Sequence, residues 1–126
     1  MLDTFINLHL YDELNYTSTT IEFIGFSSVA TLIQNDLFTR IIYNGYCINS
    51  ASHGTIIGNV PDDYTPPHSS SFLVISTNSL NIPNALLLIT AARNIHVFNM
   101  KSDSDVGTPT ILSNTWISIS GLYLNY

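Results

Sequence analysis

The chain has 126 residues, 45% of them apolar and only 10% charged, a size that buries one core and a balance outside the low-hydropathy, high-charge range of disordered segments. Three Lys and Arg stand against nine Asp and Glu, a formal net charge of −6. That is too few cations to neutralise phosphates, so nucleic acid and anionic membranes are poor partners.

A single cysteine, Cys47, excludes an internal disulfide framework and a cysteine-based zinc site, and its place beside Ile48 in a strand pattern predicts a small buried apolar residue. No run reaches the roughly 18 apolar residues that span a bilayer, and the first residues lack the charged region and unbroken apolar stretch of a signal peptide. The expectation is one soluble domain over residues 1–126, with surface polarity supplied by Ser, Thr and Asn, about a third of the chain.

In chain order, residues 1–14 precede the first clear strand signal, and 12–15 hold the one hint of a helical turn. From 17 to 26, Thr19, Ile21 and Phe23 alternate with Thr20 and Glu22, the period of two that puts one set inside and the other outside. Residues 29–34 continue in short β-branched form. Asn44-Gly45, between 38–43 and 46–49, has the composition of a type I′ turn and predicts an antiparallel hairpin. Strands are then expected at 55–60, 72–77, 85–90, 95–100 and 115–124, separated by Pro, Asn, Asp and Gly clusters. So many short strands with no helical periodicity predict an all-β sandwich or barrel.

The run Val60-Pro61-Asp62-Asp63-Tyr64-Thr65-Pro66-Pro67 cannot belong to a central strand, because its prolines lack donors and have fixed φ. It reads as a rigid surface excursion, with Asp62 and Asp63 as turn formers.

Asn44-Gly45, Gly54-Thr55, Val60-Pro61, Tyr64, Pro66 and Ile119-Ser120-Gly121-Leu122-Tyr123 follow one another in an order that resembles the C-terminal head domain of phage tail-tip receptor-binding proteins, the lactococcal siphophage adhesins among them. The resemblance covers about the last two thirds of the chain. It departs at Asp63, where the family pattern has Gly, at Thr65, where it has Arg, and in a longer loop over 102–109. The resemblance implies a compact antiparallel β-barrel or jelly-roll-like head, assembled as a homotrimer in the virion at the tail tip or baseplate. Its implied partners are host cell-wall or surface polysaccharide and other tail or baseplate proteins, with no cofactor; residues 1–14 would be a neck or shaft-proximal segment.

Among candidate saccharide-binding residues Trp116 leads. Alternation along 115–124 puts Ile117, Ile119 and Tyr123 on one face and Trp116, Ser118 and Ser120 on the other, open to solvent unless Gly121 marks a bulge or Leu122 and Leu124 bring the Trp116 face into a subunit interface. An exposed ring beside hydroxyls suits a sugar, whose C–H face stacks while its hydroxyls hydrogen-bond. His96 shares a strand face with Phe98 and Met100. Arg93, at the turn before it, reads as an exposed clamp for carboxylate or phosphate. Asp103 and Asp105 lie in a polar loop of binding-loop length; Asp-x-Asp is also a fragment of a calcium loop, but the remaining ligands are missing.

The sequence has no nucleophile elbow, no Gly-rich phosphate loop and no His spacing suited to zinc, so neither a catalytic residue nor a metal ligand is assigned. Asp62-Asp63 and Asp12-Glu13 are adjacent pairs whose side chains diverge, a poor arrangement for glycosidase acid and base. Two readings of function follow: a host-adhesion domain that binds saccharide, and a non-binding structural β-sandwich subunit of a phage tail, baseplate or capsid. Apolar runs such as Phe72-Leu-Val-Ile75 and Leu86-Leu-Leu-Ile89 exceed what one face of a thin barrel must hide and predict a second buried surface.

Overall fold

A computed structural model describes residues 16–79, 84–99 and 110–125. These fold as ten strands: β1 (Thr17–Glu22), β2 (Val29–Gln34), β3 (Phe38–Tyr46), β4 (Ala51–Ser52), β5 (Ile56–Asn59), β6 (Ser71–Thr77), β7 (Asn84–Ile89), β8 (Asn94–Asn99), β9 (Thr110–Ile111) and β10 (Trp116–Leu124). Eight of them form one antiparallel sheet in the order β1-β2-β3-β10-β6-β7-β8-β5, and β4 pairs with β9 apart from it. The sheet curls until its ends nearly meet: just beyond β1, Ile24 N donates to Ile57 O of β5 at 2.8 Å. The protein is thus an all-β, nearly closed barrel, a form that leaves little open strand edge.

Period-two alternation sets the inside. Leu73, Ile75, Ala85, Leu87, Ile89, Ile95, Val97, Ile117 and Ile119 are buried, and their neighbours in sequence face out. At one end of the barrel Phe23, Phe26 and Tyr43 form an aromatic cluster, with Phe23 stacked on Tyr43 at 5.3 Å between centroids and Phe26 edge-on to it at 5.8 Å. Cys47 is fully buried beside them in the core, as its sequence setting predicts.

The Asn44-Gly45 hairpin does not form. β3 runs without a break from Phe38 to Tyr46, and its partner is β10, in register from Trp116 opposite Tyr46 to Leu124 opposite Phe38. Gly45 is not at positive φ, which is found at Gly25, Gly54, Arg93 and Asn114. Nor does Gly121 make a bulge against β3, since the register holds through it; a Cβ there would press on the side chain of Leu73, 3.2 Å from its Cδ2.

The proline-rich run also differs from a simple surface excursion. Val60 and Tyr64 are buried core residues and Pro67 is buried, so the segment lies over one end of the barrel, while Asp62, Asp63 and Thr65 face solvent. Side chains from distant strands fasten it. Gln34 accepts from Thr65 N at 2.9 Å and donates to Thr65 O at 3.0 Å, and Tyr123 OH donates to the same carbonyl at 2.7 Å. Thr39, wholly buried, accepts from Gln34 and donates to Asn125 Oδ1 at 2.8 Å, so this inward-facing hydroxyl is satisfied.

Candidate functional site

Trp116 begins β10 and is 54% exposed, whereas Ile117 and Ile119 are buried. It is held from both sides. On β3 its cross-strand partner is Tyr46, whose ring lies 5.0 Å from the indole at an interplanar angle of 57°. On the other side β6 has ended at Thr77, and Asn78 continues the pairing: Asn78 N donates to Trp116 O at 3.1 Å, and Trp116 N donates to Asn78 Oδ1 at 3.0 Å. The turn leading in is fixed by Asn114 at φ 67°, whose N donates to Cys47 O at 2.7 Å; Asn tolerates that left-handed conformation better than most residues.

Beside the aromatic pair runs a row of short polar side chains. Ser118 is opposite Asn44 on one side and Ser76 on the other, and Ser76 is opposite Asn84. All four are exposed. The result is a shallow platform of two tilted rings continued by hydroxyls and amides across four strands. A platform of this kind can stack the apolar face of a sugar and hydrogen-bond its hydroxyls without deep enclosure.

The other predicted site residues do not converge on it. His96 lies on the outer face of β8, three strands from β10 and near the opposite end, which places it more than about 20 Å away along the sheet. Its Nδ1 is 3.1 Å from Gly54 O, and its ring neighbours that of Phe98, which also packs against His53 and Phe72. Arg93 is half-buried rather than exposed: it occupies the β7–β8 turn at φ 74°, and its Nη1 donates to Pro61 O at 2.6 Å and Tyr64 O at 2.5 Å. The guanidinium therefore fastens the proline-rich segment to the barrel end. Asp103 and Asp105 lie outside the described residues, as do residues 1–14.

Two grooves open at the end of the barrel away from Trp116. One, of about 390 Å³, is lined by His68, Ser69, Ser71, Phe72, Leu122, Tyr123 and Leu124. The other, of about 270 Å³, lies between Thr17, Gln34, Asn35, Asp36, Thr65 and Asn125, but the amides of Gln34, Asn35 and Asn125 are already engaged with one another's segments. Among the described residues no three His, Cys, Asp or Glu side chains come together as a metal ion would need, and no helix is long and apolar enough to cross a membrane.

Sequence reasoning found Trp116 through its alternation but missed Tyr46, Asn44, Ser76 and Asn78. Their only signal is the cross-strand register, which links positions 38 to 74 residues apart. No protein-family model and no curated protein matches the chain.

Proposed function

We propose that this chain is the saccharide-binding head of a phage adhesin, a jelly-roll-like domain that assembles as a homotrimer at the tail tip or baseplate and holds the surface polysaccharide of a bacterial host. The Trp116–Tyr46 platform supports this reading best. A large aromatic residue left half in solvent at the start of a strand, its backbone held by two hydrogen bonds with Asn78 and its ring beside that of Tyr46, with Ser118 and Asn44 next to it, offers a surface on which a sugar ring can stack. A shallow site of this form binds weakly on its own, and several copies on one virion raise the effective affinity by rebinding.

A titration of the protein with host cell-wall polysaccharide, followed by tryptophan emission, tests the proposal, because Trp116 is the only indole. The expected result is a solvent-type emission maximum in the free protein and a saturable shift or quench, both absent from Trp116→Ala when binding is read by calorimetry. An emission that ignores every polysaccharide offered overturns it. The weight then moves to a structural subunit of a tail, baseplate or capsid, a reading favoured by the apolar outer surface of β6 and β10.

A further inference from the structure

The strands β10, β6, β7 and β8 are neighbours, and together they turn a largely apolar surface outward, with one cation at its β3 border, where Arg40, opposite Leu122, donates from Nη2 to Ser120 Oγ at 2.8 Å. Phe72 and Val74 are 53% and 59% exposed, and Leu122 and Leu124 are each 49% exposed. The surface is continuous: Phe72 is opposite Leu88 and Val74 opposite Leu86 on β7, and Leu86 in turn is opposite Phe98 on β8. Scattered apolar residues on a surface are ordinary, whereas a contiguous apolar face is often functional and is a candidate for the centre of an interface.

Several observations narrow what covers it. None of the four strands contains Asp, Glu, Lys or Arg. Of the charged residues among those described, Glu22, Asp36, Asp62, Asp63 and Arg93 lie on other strands or in turns, and Arg40 of β3 reaches only the border of the face, at Ser120. A basic partner would be drawn to those carboxylates, whereas a chain of net charge −6 approaches its own copy with least repulsion across this face. Lipid fits poorly, because the polar row of Asn44, Ser118, Ser76 and Asn84 ends the apolar band after roughly 14 Å of strand, short of the roughly 25 Å that a membrane barrel presents. The barrel interior is also apolar, the reverse of an outer-membrane pore. Strand addition is disfavoured as well, since the two sheet edges, β1 and β5, lie against each other.

We infer that the outer face of β10, β6, β7 and β8 is where copies of this chain pack on one another, side chain against side chain. It spans roughly 300 Å², suited to the apolar centre of a standard interface of roughly 800 Å² per partner with a polar rim. In the adhesin reading this face is the trimer contact, and the number three rests on that reading alone.

Sedimentation velocity and light scattering on the full chain at about 100 µM and about 1 µM test the inference. The wild type is expected to be an oligomer at the higher concentration. Val74→Asp and Phe72→Asp, at positions more than half exposed, are expected to be monomers with unchanged far-ultraviolet circular dichroism and at least tenfold weaker association. Thr20→Asp, on the outer face of β1, should assemble like the wild type. If an acidic variant fails to fold, Val74→Ser with Leu122→Ser replaces it, with at least tenfold weaker association again expected. A wild type that stays monomeric at about 100 µM, or folded face variants that assemble normally, overturns the inference. The polysaccharide titration is run on the same samples: an assembled wild type with no tryptophan response removes the adhesin reading and leaves the interface standing.

Discussion

The phenolic oxygen of Tyr43 lies over the α-carbon of Gly45 on the same strand: a Cβ on Gly45 would fall 2.5 Å from that oxygen and 2.7 Å from Ser27 Oγ. Glycine is required here for space, not for backbone freedom, because the Tyr43 ring folds along β3 to reach Phe23 and Phe26.

Gly45→Ala should therefore destabilise the protein by about 1–3 kcal/mol, as overpacked cores do. Urea unfolding should show a lower midpoint at unchanged slope. Gly54→Ala is the contrasting case, since nothing lies within 4 Å of its Cβ position and the cost comes from φ +86° alone, about 1–2 kcal/mol. A Gly45→Ala protein as stable as the wild type would contradict the packing of Tyr43 over it.

The same glycine shows where the sequence was legible and where it was not. Strands β6, β7, β8 and β10 were readable within a residue or two because alternation is a local property, and the outward direction of Trp116 followed from it. Asn44-Gly45 was misread because a turn signal is also local, while nine residues of pairing to β10 are not, and pairing won. Arg93 was misplaced for the same reason: the carbonyls that capture it belong to Pro61 and Tyr64, about 30 residues earlier. Tyr46 and Asn78 became site residues only when register set them beside Trp116.

Burial pushes the Cys47 thiol up from 9.0 to about 11, and burial also raises Tyr123 above its ordinary 10.0, opposed in part by its hydrogen bond with Thr39 and by the Arg93 charge. Both groups hold their protons in the folded state at pH values where the unfolded chain has released them. Their contribution is intact below about pH 9, and stability falls from there to about 11 as the unfolded state gains by ionising. Thermal melts across pH 8–11 check this, and iodoacetamide at pH 8 should label Cys47 only when urea unfolds the protein. Rapid labelling of the folded protein would show that the thiol is not enclosed.

Arg93→Ala removes the donor to Pro61 O and Tyr64 O and leaves two carbonyls at the barrel end without it. A loss of about 1.5–3 kcal/mol is expected, as for hydrogen bonds to a charged donor, with faster proteolysis within residues 60–67. Arg93→Lys should recover only part, because the shorter, more strongly hydrated ammonium does not hold its charge where Nη1 meets both carbonyls. The substitution to Ala should also raise the Tyr123 titration further, since the guanidinium charge lowers it. Spectrophotometric titration reads that shift separately from stability, and an unmoved Tyr123 would place the guanidinium elsewhere.

Asn78 is the residue through which the edge of β6 holds Trp116, its side-chain oxygen taking Trp116 N and its own N meeting Trp116 O. Asn78→Ala deletes the first bond and keeps the second. Global stability should fall by about 1 kcal/mol, within the range for one neutral hydrogen bond. The indole, exposed and already lacking a buried wall, should gain motion, seen as lower steady-state anisotropy of its emission. If the platform binds saccharide, the polysaccharide dissociation constant should rise several-fold, because part of the binding energy must then order the ring. Asn78→Asp keeps an acceptor oxygen at the same place and should restore both anisotropy and affinity. Reduced stability with unchanged anisotropy and affinity would mean that Asn78 supports the fold without positioning Trp116, and that the ring is held by Tyr46 and the β3–β10 pairing alone.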